Sequence, residues 1–281
     1  MVLYIVGLGL GDHTDITVRG LAAVKKCKDV WLEAYTSVLE GGVDAEALAA
    51  FYGRPVRVAT RETVETDAEA IIGSCVHDDI ALLVVGDPLC ATTHTDIALR
   101  ARKLGATVEF IQNASVMGAV ACCGLQLYRY GQTVSIPYFD GEWRPTSFYE
   151  KIEYNRKGDM HTLCLLDIKV REPDYEALAK TCRTSFLPPR FMTVNQAIEQ
   201  LFVAEDQYAN GACARTARAV GLARLGQPTQ RIVQGTLEEL SKVDFGGPLH
   251  SLVICAPNLH EIEEEYLVAF AASAAAEAAA A

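Results

Sequence analysis

The stretch IALLVVGDPLCATTHTD, residues 80–96, decides how the first part of this 281-residue chain is read. Ile80 to Val85 run apolar without polar alternation, the pattern of a strand buried on both faces. Such strands belong to parallel sheets covered by helices on either side. Then come Gly86, Asp87 and Pro88, followed by Thr92, Thr93, His94 and Thr95. A loop of that composition is built to hold something rather than to pack. Proline keeps the residue before it extended, so the Asp87 carboxylate is presented at the strand end and is not absorbed as a helix cap. Ligands of parallel α/β sheets sit at the carboxyl ends of the strands.

Outward from this stretch, short β-rich runs recur in the first 112 residues: VLYIVGL (2–8), DVWLEA (29–34), RPVRVA (54–59) and TVEFIQ (107–112). Segments of helical period separate them. In DITVRGLAAVKKC (15–27), Val18, Leu21, Ala22 and Val24 predict one apolar face. DIALRARKLG (96–105) closes on Gly105 where a helix C-cap belongs. The class is α/β, with a parallel sheet in residues 1–112. Beyond 112 the texture changes. Strand candidates 133–139, 161–170, 219–226, 230–237 and 249–257 alternate with polar residues and turns. Helical stretches fall at 145–158, 193–206 and 259–272. This predicts a second α/β domain with a mixed sheet over 113–272, joined near 112–124. Pro173, Pro188 and Pro189 mark 170–192 as an exposed loop with a short helix, and the Ala-rich 273–281 reads as a frayed tail.

Half of the residues are hydrophobic and 22% are charged, an ordinary globular composition. The net charge of −11 argues against a nucleic-acid or anionic-membrane surface. The N-terminal VLYIVGLGLG is short, lacks a basic leader and meets Asp12 at once, so neither a signal peptide nor a membrane span is expected. Nine cysteines without a CxxC pair predict reduced, mostly buried thiols in a cytoplasmic protein, and no metal site.

Two further loops join the Asp87 loop. Glycines at 7, 9 and 11 follow the first strand as G-x-G-x-G. The dinucleotide fingerprint is G-x-G-x-x-G, so a nicotinamide cofactor is disfavoured. The spacing fits the first loop of Rossmann-type methyltransferases, with Glu33 as a ribose ligand, or a plain tight turn. FIQNASVMGAV places Ser115 to cap a helix, next to amides that a ligand can approach. Three such loops at strand ends describe a nucleoside-sized pocket.

GLGLGDHTDITVRGL (7–21), WLEAYTSVL (31–39), VVGDPLCATTHTDIALRA (84–101), NASVMGAVACCGLQLYRYG (113–131), MHTLCLLDIKV (160–170), PPRFMTVNQA (188–197), VGLARLG (220–226) and PLHSLVI (248–254) resemble the diphthine synthase family. The resemblance runs from residue 2 to about residue 256, leaving out an insert at 206–218 and the tail. It implies the tetrapyrrole-methylase fold: two α/β domains with S-adenosylmethionine in the cleft between them. That replaces the Rossmann reading and leaves Glu33 as a strand-end residue without a role. Carried over residue by residue, it implies cofactor contacts at Leu10, Asp87, Cys90, Ser115, Val116, Leu166, Leu225 and His250. The family pattern has glycine where this chain has Cys90, which a backbone contact tolerates if φ is negative.

The resemblance further implies a homodimer and a protein substrate, a histidine of elongation factor 2 bearing a 3-amino-3-carboxypropyl group. Successive methylation would give diphthine or its methyl ester. No catalytic residue is assigned, since an activated methyl donor and a neutral amine need alignment more than a base. Asp87 is expected to hold the ribose or amino-acid end of the cofactor, because a carboxylate on the sulfonium would favour the ground state. His94 is expected to orient substrate through a hydrogen bond. The rival readings are an enzyme of the same fold acting on a small corrin or porphyrin precursor and a non-catalytic nucleotide sensor.

Overall fold

The computed structural model describes residues 1–33, 35, 39, 45–170, 172, 174 and 185–271. The chain divides into two compact units: Met1–Met117 with Val170–Pro188 and Gly226–Pro228, and Gly118–Lys169 with Pro189–Leu225 and Thr229–Ala281.

In the first unit, β1 (Val2–Gly7), β2 (Asp29–Glu33), β3 (Arg57–Ala59), β4 (Ile80–Val84) and β5 (Thr107–Ile111) form a parallel sheet in the order β3-β2-β4-β1-β5. Successive strand residues point to opposite faces, so continuous apolar runs feed two cores at once. Tyr4, Val6, Ala81 and Leu83 pack with Ala23 and Val24 of α1 (Val18–Lys26) and with Leu48 and Tyr52 of α2 (Ala45–Tyr52). Leu3, Ile5, Leu82 and Val84 pack on the other side, against Val64 of α3 (Arg61–Glu65), Ile71 of α4 (Glu69–Ile72) and Ile97 of α5 (His94–Lys103). Gly105 takes the left-handed φ of +90° just past α5, as its helix-ending role requires. The expected face of α1 is shifted: Val24 is buried as expected, but Val18 is 88% exposed, and Gly20 and Ala23 are buried in its place. Thr17 caps the helix by accepting from the Gly20 amide, and a Cβ on Gly20 would lie 2.9 Å from Val6 Cγ1. The smallest residue thus faces the sheet, and the helix comes close.

In the second unit, β6 (Val134–Ile136), β7 (Thr162–Leu166), β10 (Arg218–Ala223), β11 (Arg231–Thr236) and β12 (His250–Ile254) build the mixed sheet, ordered β11-β10-β12-β7-β6. Only β6 and β7 pair in parallel. Between β7 and β10, β8 (Ile168–Lys169) pairs with β9 (Arg190–Phe191), so the end of the expected 170–192 loop is a short strand. Residues 171, 173 and 175–184 of the region expected to hold a short helix lie outside the described residues, as does the tail 273–281. After the one-turn α6 (Val116–Ala119), the helices are α7 (Ser147–Lys157), α8 (Val194–Tyr208), α9 (Leu237–Leu240) and α10 (Glu261–Leu267). Phe148, Ile152, Ile198 and Leu201 of α7 and α8 share a core with Cys164, Leu252 and Ile254. The 206–218 segment is tied to Glu205, whose carboxylate accepts from the amides of Gly211 (2.7 Å) and Cys213 (2.7 Å) and from the Tyr149 hydroxyl (2.8 Å). The eight described cysteines are free, with only Cys122 exposed and Cys90 half-buried. No described helix is long and apolar enough to cross a membrane.

A buried polar cluster secures α10. The Glu263 carboxylate accepts from Arg129 Nη1 (2.7 Å) and from the amides of Gln126 (2.9 Å) and His260 (2.8 Å), and lies 3.1 Å from His161 Nε2. These partners outweigh the opposing effect of burial and hold its pKa below the usual range. His161 accepts from the Ala256 amide through Nδ1, and burial pushes its pKa down. Glu263→Ala would take the shared acceptor from Arg129 Nη1, from His161 and from the Gln126 and His260 amides, and a cost of ~3–5 kcal/mol is expected from urea denaturation. Acid should act on the same fold. Burial also lowers His94 and His250, so below a pH of about 6.5 the unfolded chain binds more protons than the native one, and stability falls. A urea midpoint that stays constant from pH of about 7.5 to about 5.5 would contradict this.

Candidate functional site

The loops leaving β1 and β4 are hydrogen-bonded to each other. The Gly9 amide donates to the Gly86 carbonyl (3.2 Å), and the Gly86 amide returns the bond to Gly9 (2.8 Å). Both glycines are left-handed, at φ +81° and +79°. A Cβ on Gly7 would sit 2.6 Å from the Gly86 carbonyl oxygen, which leaves no room for any side chain. Gly11 donates its amide to Asp15 Oδ2 (2.8 Å), and Gly226 packs on Leu10, 2.9 Å from where its own Cβ would be. The triple glycine is therefore the mark of two backbones in contact.

Asn113, which sequence reasoning passed over, joins these loops to the one after β5. Its Nδ2 donates to the carbonyls of Gly7 (3.0 Å) and Asp15 (3.0 Å), and its Oδ1 accepts from the Ala114 amide (2.8 Å). Its own amide donates to Asp87 Oδ2 (3.0 Å), while Asp87 Oδ1 accepts from the Leu89 amide (2.8 Å). Asp87 is thus buried with each oxygen already holding an amide. A carboxylate oxygen has two lone pairs, so one site on each remains for a further donor. Ser115 Oγ accepts from the Met117 amide (3.1 Å), the capping role its position predicts. Cys90 is half-buried and is not among the residues with positive φ; the left-handed residue of that loop is its neighbour Ala91, at +56°. Leu10, Asp87, Cys90, Ser115 and Val116 all belong to this one edge, around the carboxyl ends of β1, β4 and β5.

Leu166, Leu225 and His250 share an edge of the second sheet. Ala223 is paired with His250 across β10 and β12, and Leu165 with Ser251 across β7 and β12. The His250 ring is spoken for: Nε2 donates to the Gly247 carbonyl (2.9 Å) and Nδ1 accepts from the Val194 amide (3.3 Å). Burial lowers its pKa, which keeps the ring neutral.

His94 requires a correction. It is 1% exposed, so its ring is buried in the fold and not presented to substrate as expected from its loop. The residue opens α5 and turns inward, with Nε2 3.9 Å from Glu33 Oε2. Burial pushes its pKa down despite that carboxylate. Glu33, buried at the end of β2, accepts from the Tyr35 amide (2.8 Å) and so belongs to the packing of this corner.

A parallel sheet with glycine-built loops at its carboxyl edge and a separate mixed sheet recur in known proteins. The model of the tetrapyrrole (corrin/porphyrin) methylases matches residues 2–241. The chain belongs to the tetrapyrrole methylase family. Within it, the "Probable diphthine methyl ester synthase" of Arabidopsis thaliana is 53% identical over 269 residues, covering 95% of this chain and 97% of the relative. The diphthine methyl ester synthase of Homo sapiens is 52% identical over 273 residues, covering 96% and 95%. A crystal structure of a diphthine synthase, 34% identical, matches with a TM-score of 0.82 over 96% of each chain. Among tetrapyrrole methylases, then, this chain stands with the diphthine-forming members, and a small corrin or porphyrin substrate is not favoured.

Substitutions at two positions test the edge. Asn113→Ala removes donors to two carbonyls, and a loss of about 2–3 kcal/mol is expected by urea unfolding. Asn113→Asp should do no better, since it keeps the acceptor and lacks the donor. Gly7→Ala must separate the β1 and β4 loops and should cost about 1–3 kcal/mol; wild-type stability in either series would refute the knot.

Proposed function

We propose that this chain is a methyltransferase of diphthamide biosynthesis that takes its methyl group from S-adenosylmethionine and delivers it to the modified histidine of elongation factor 2. The observation that carries the reading is identity of 52–53% over nearly the whole length to diphthine methyl ester synthases. The residues of the first edge suit such a cofactor. Asp87 retains acceptor capacity beside open backbone at Gly86, where an added Cβ would meet only the Ala114 carbonyl at 3.8 Å, and Leu10 and Val116 add partly exposed apolar surface. The proposed cofactor residues are Leu10, Asp87, Cys90, Ser115 and Val116 in the first unit, and Leu166, Leu225 and His250 in the second.

When bound, S-adenosylmethionine supplies a methyl group already activated on a sulfonium. What remains for the chain is to position and to exclude water. Neither His94, inaccessible, nor His250, with both nitrogens engaged, is placed to serve as a general base. None is needed: an α-amino group with a pKa of about 8 supplies neutral nucleophile near neutrality, and a carboxylate attacks without losing a proton. Asp87, immobilised by two amides, fits a hydroxyl or ammonium donor rather than the sulfonium. The chain is further proposed to act as a homodimer in the cytoplasm.

Incubation with labelled S-adenosylmethionine and the diphthamide-pathway form of elongation factor 2 that bears the 3-amino-3-carboxypropyl group should label that protein. Labelled small molecules, or binding without transfer, would contradict the proposal. Asp87→Ala should weaken S-adenosylhomocysteine binding by ~1.5–3 kcal/mol in calorimetry, and unchanged affinity would remove Asp87 from the site. A sedimentation mass of twice the chain is expected, and a monomer would refute the dimer.

A further inference from the structure

Arg224 stands between two of the proposed cofactor residues without being one of them. It follows β10 directly, and its amide continues the ladder by donating to the Leu249 carbonyl (2.7 Å). Its backbone is left-handed, at φ +52°, a conformation disfavoured for a residue with a Cβ. Among the described non-glycine residues, positive φ occurs also at Asp159 and Ala209, which end helices, and at Ala91 in the Asp87 loop. No helix end explains Arg224. A strained residue persists when its surroundings over-determine it, and here the side chain supplies the reason.

The guanidinium bonds to carbonyls on two separate loops. Nε donates to the Thr229 carbonyl (3.1 Å) and hydroxyl (3.1 Å), and Nη1 donates to the carbonyls of Phe245 (2.9 Å) and Gly247. The Gly247 carbonyl also accepts from His250 Nε2 (2.9 Å), whose Nδ1 in turn accepts from Val194. One guanidinium therefore fixes the loop that leads into His250 and the strand end that leads into Leu225, and shares the Gly247 carbonyl with the His250 ring. A planar fork with fixed donor directions does this; a flexible ammonium does not. Ala and Gly supply no donor.

We propose that Arg224 is a positioning residue for the cofactor: it aligns Leu225 and His250 as one binding edge while touching neither reactant. The inference rests on the reading of Leu225 and His250 as cofactor contacts, and the test separates the two. Calorimetry with S-adenosylhomocysteine on the unmodified full-length chain comes first. Absence of binding would overturn the underlying reading and the inference with it. With binding established, Arg224→Lys and Arg224→Gly are compared, because glycine accepts the left-handed backbone at no steric cost and so isolates the guanidinium. Both variants should raise Kd and KM for the methyl donor by about tenfold or more, with kcat at saturating donor changed by less than about threefold. The lysine variant is expected not to rescue. A lost fraction of folded protein would instead lower kcat and leave KM unchanged, and that outcome overturns the proposal. So does wild-type affinity in the glycine variant.

Discussion

The first unit depends on a carbonyl–amide exchange between two loops, Gly9 with Gly86, and on the Asn113 side chain that ties a third loop to it. Strands buried on both faces end in loops that still carry unpaired backbone groups, and these must find partners where water is scarce. The loops after β1 and β4 partner each other. That solution demands contact closer than any Cβ allows at Gly7 and a left-handed backbone at Gly9 and Gly86, which is why glycine stands at these positions. Asn113 extends it, because an amide side chain can donate to two carbonyls while its oxygen accepts an amide. Asp87 is locked by the same arrangement: its carboxylate receives the Asn113 amide and the Leu89 amide, so the residue expected to meet a ligand is also a strut of the loop.

What could be read from the chain follows the range over which its interactions act. Continuous apolar runs located the strands at 80–84 and 2–7, alternation foretold the mixed second sheet, and local bonding chemistry identified the caps at Gly105 and Ser115. Each of those signals lies within a few residues. Asn113 pairs with Gly7 across 106 positions and Arg129 with Glu263 across 134, so neither partner marks the other in sequence. His94 looked like a loop residue because it follows three polar or small neighbours; only the third dimension turns its ring toward Glu33. Val18 was misassigned for a related reason. Apolar spacing fixes the period of a helix but not its phase, and Gly20 set the phase through its closeness to Val6.

Position 90, where the resemblance implies glycine, takes a definite form. The Cys90 amide donates to the Asp87 carbonyl (3.3 Å), closing a turn in which φ stays negative at 90 and becomes left-handed at Ala91. The left-handed position of this turn is thus Ala91, which has the smallest side chain that carries a Cβ. A residue with a Cβ is therefore accommodated at 90 without left-handed strain.

Arg224 and Ala91 give the two units a common logic. Each holds a left-handed, non-glycine backbone at a sheet edge that carries proposed cofactor residues, and in each the cost is met by hydrogen bonds of the flanking loop. A methyl transfer asks for alignment of three atoms more than for acid or base strength, so rigidity is the property an edge must have. Neutral histidines, a carboxylate spent on amides and loops closed on one another are poor equipment for proton transfer. For holding a reactive centre still, they are sufficient.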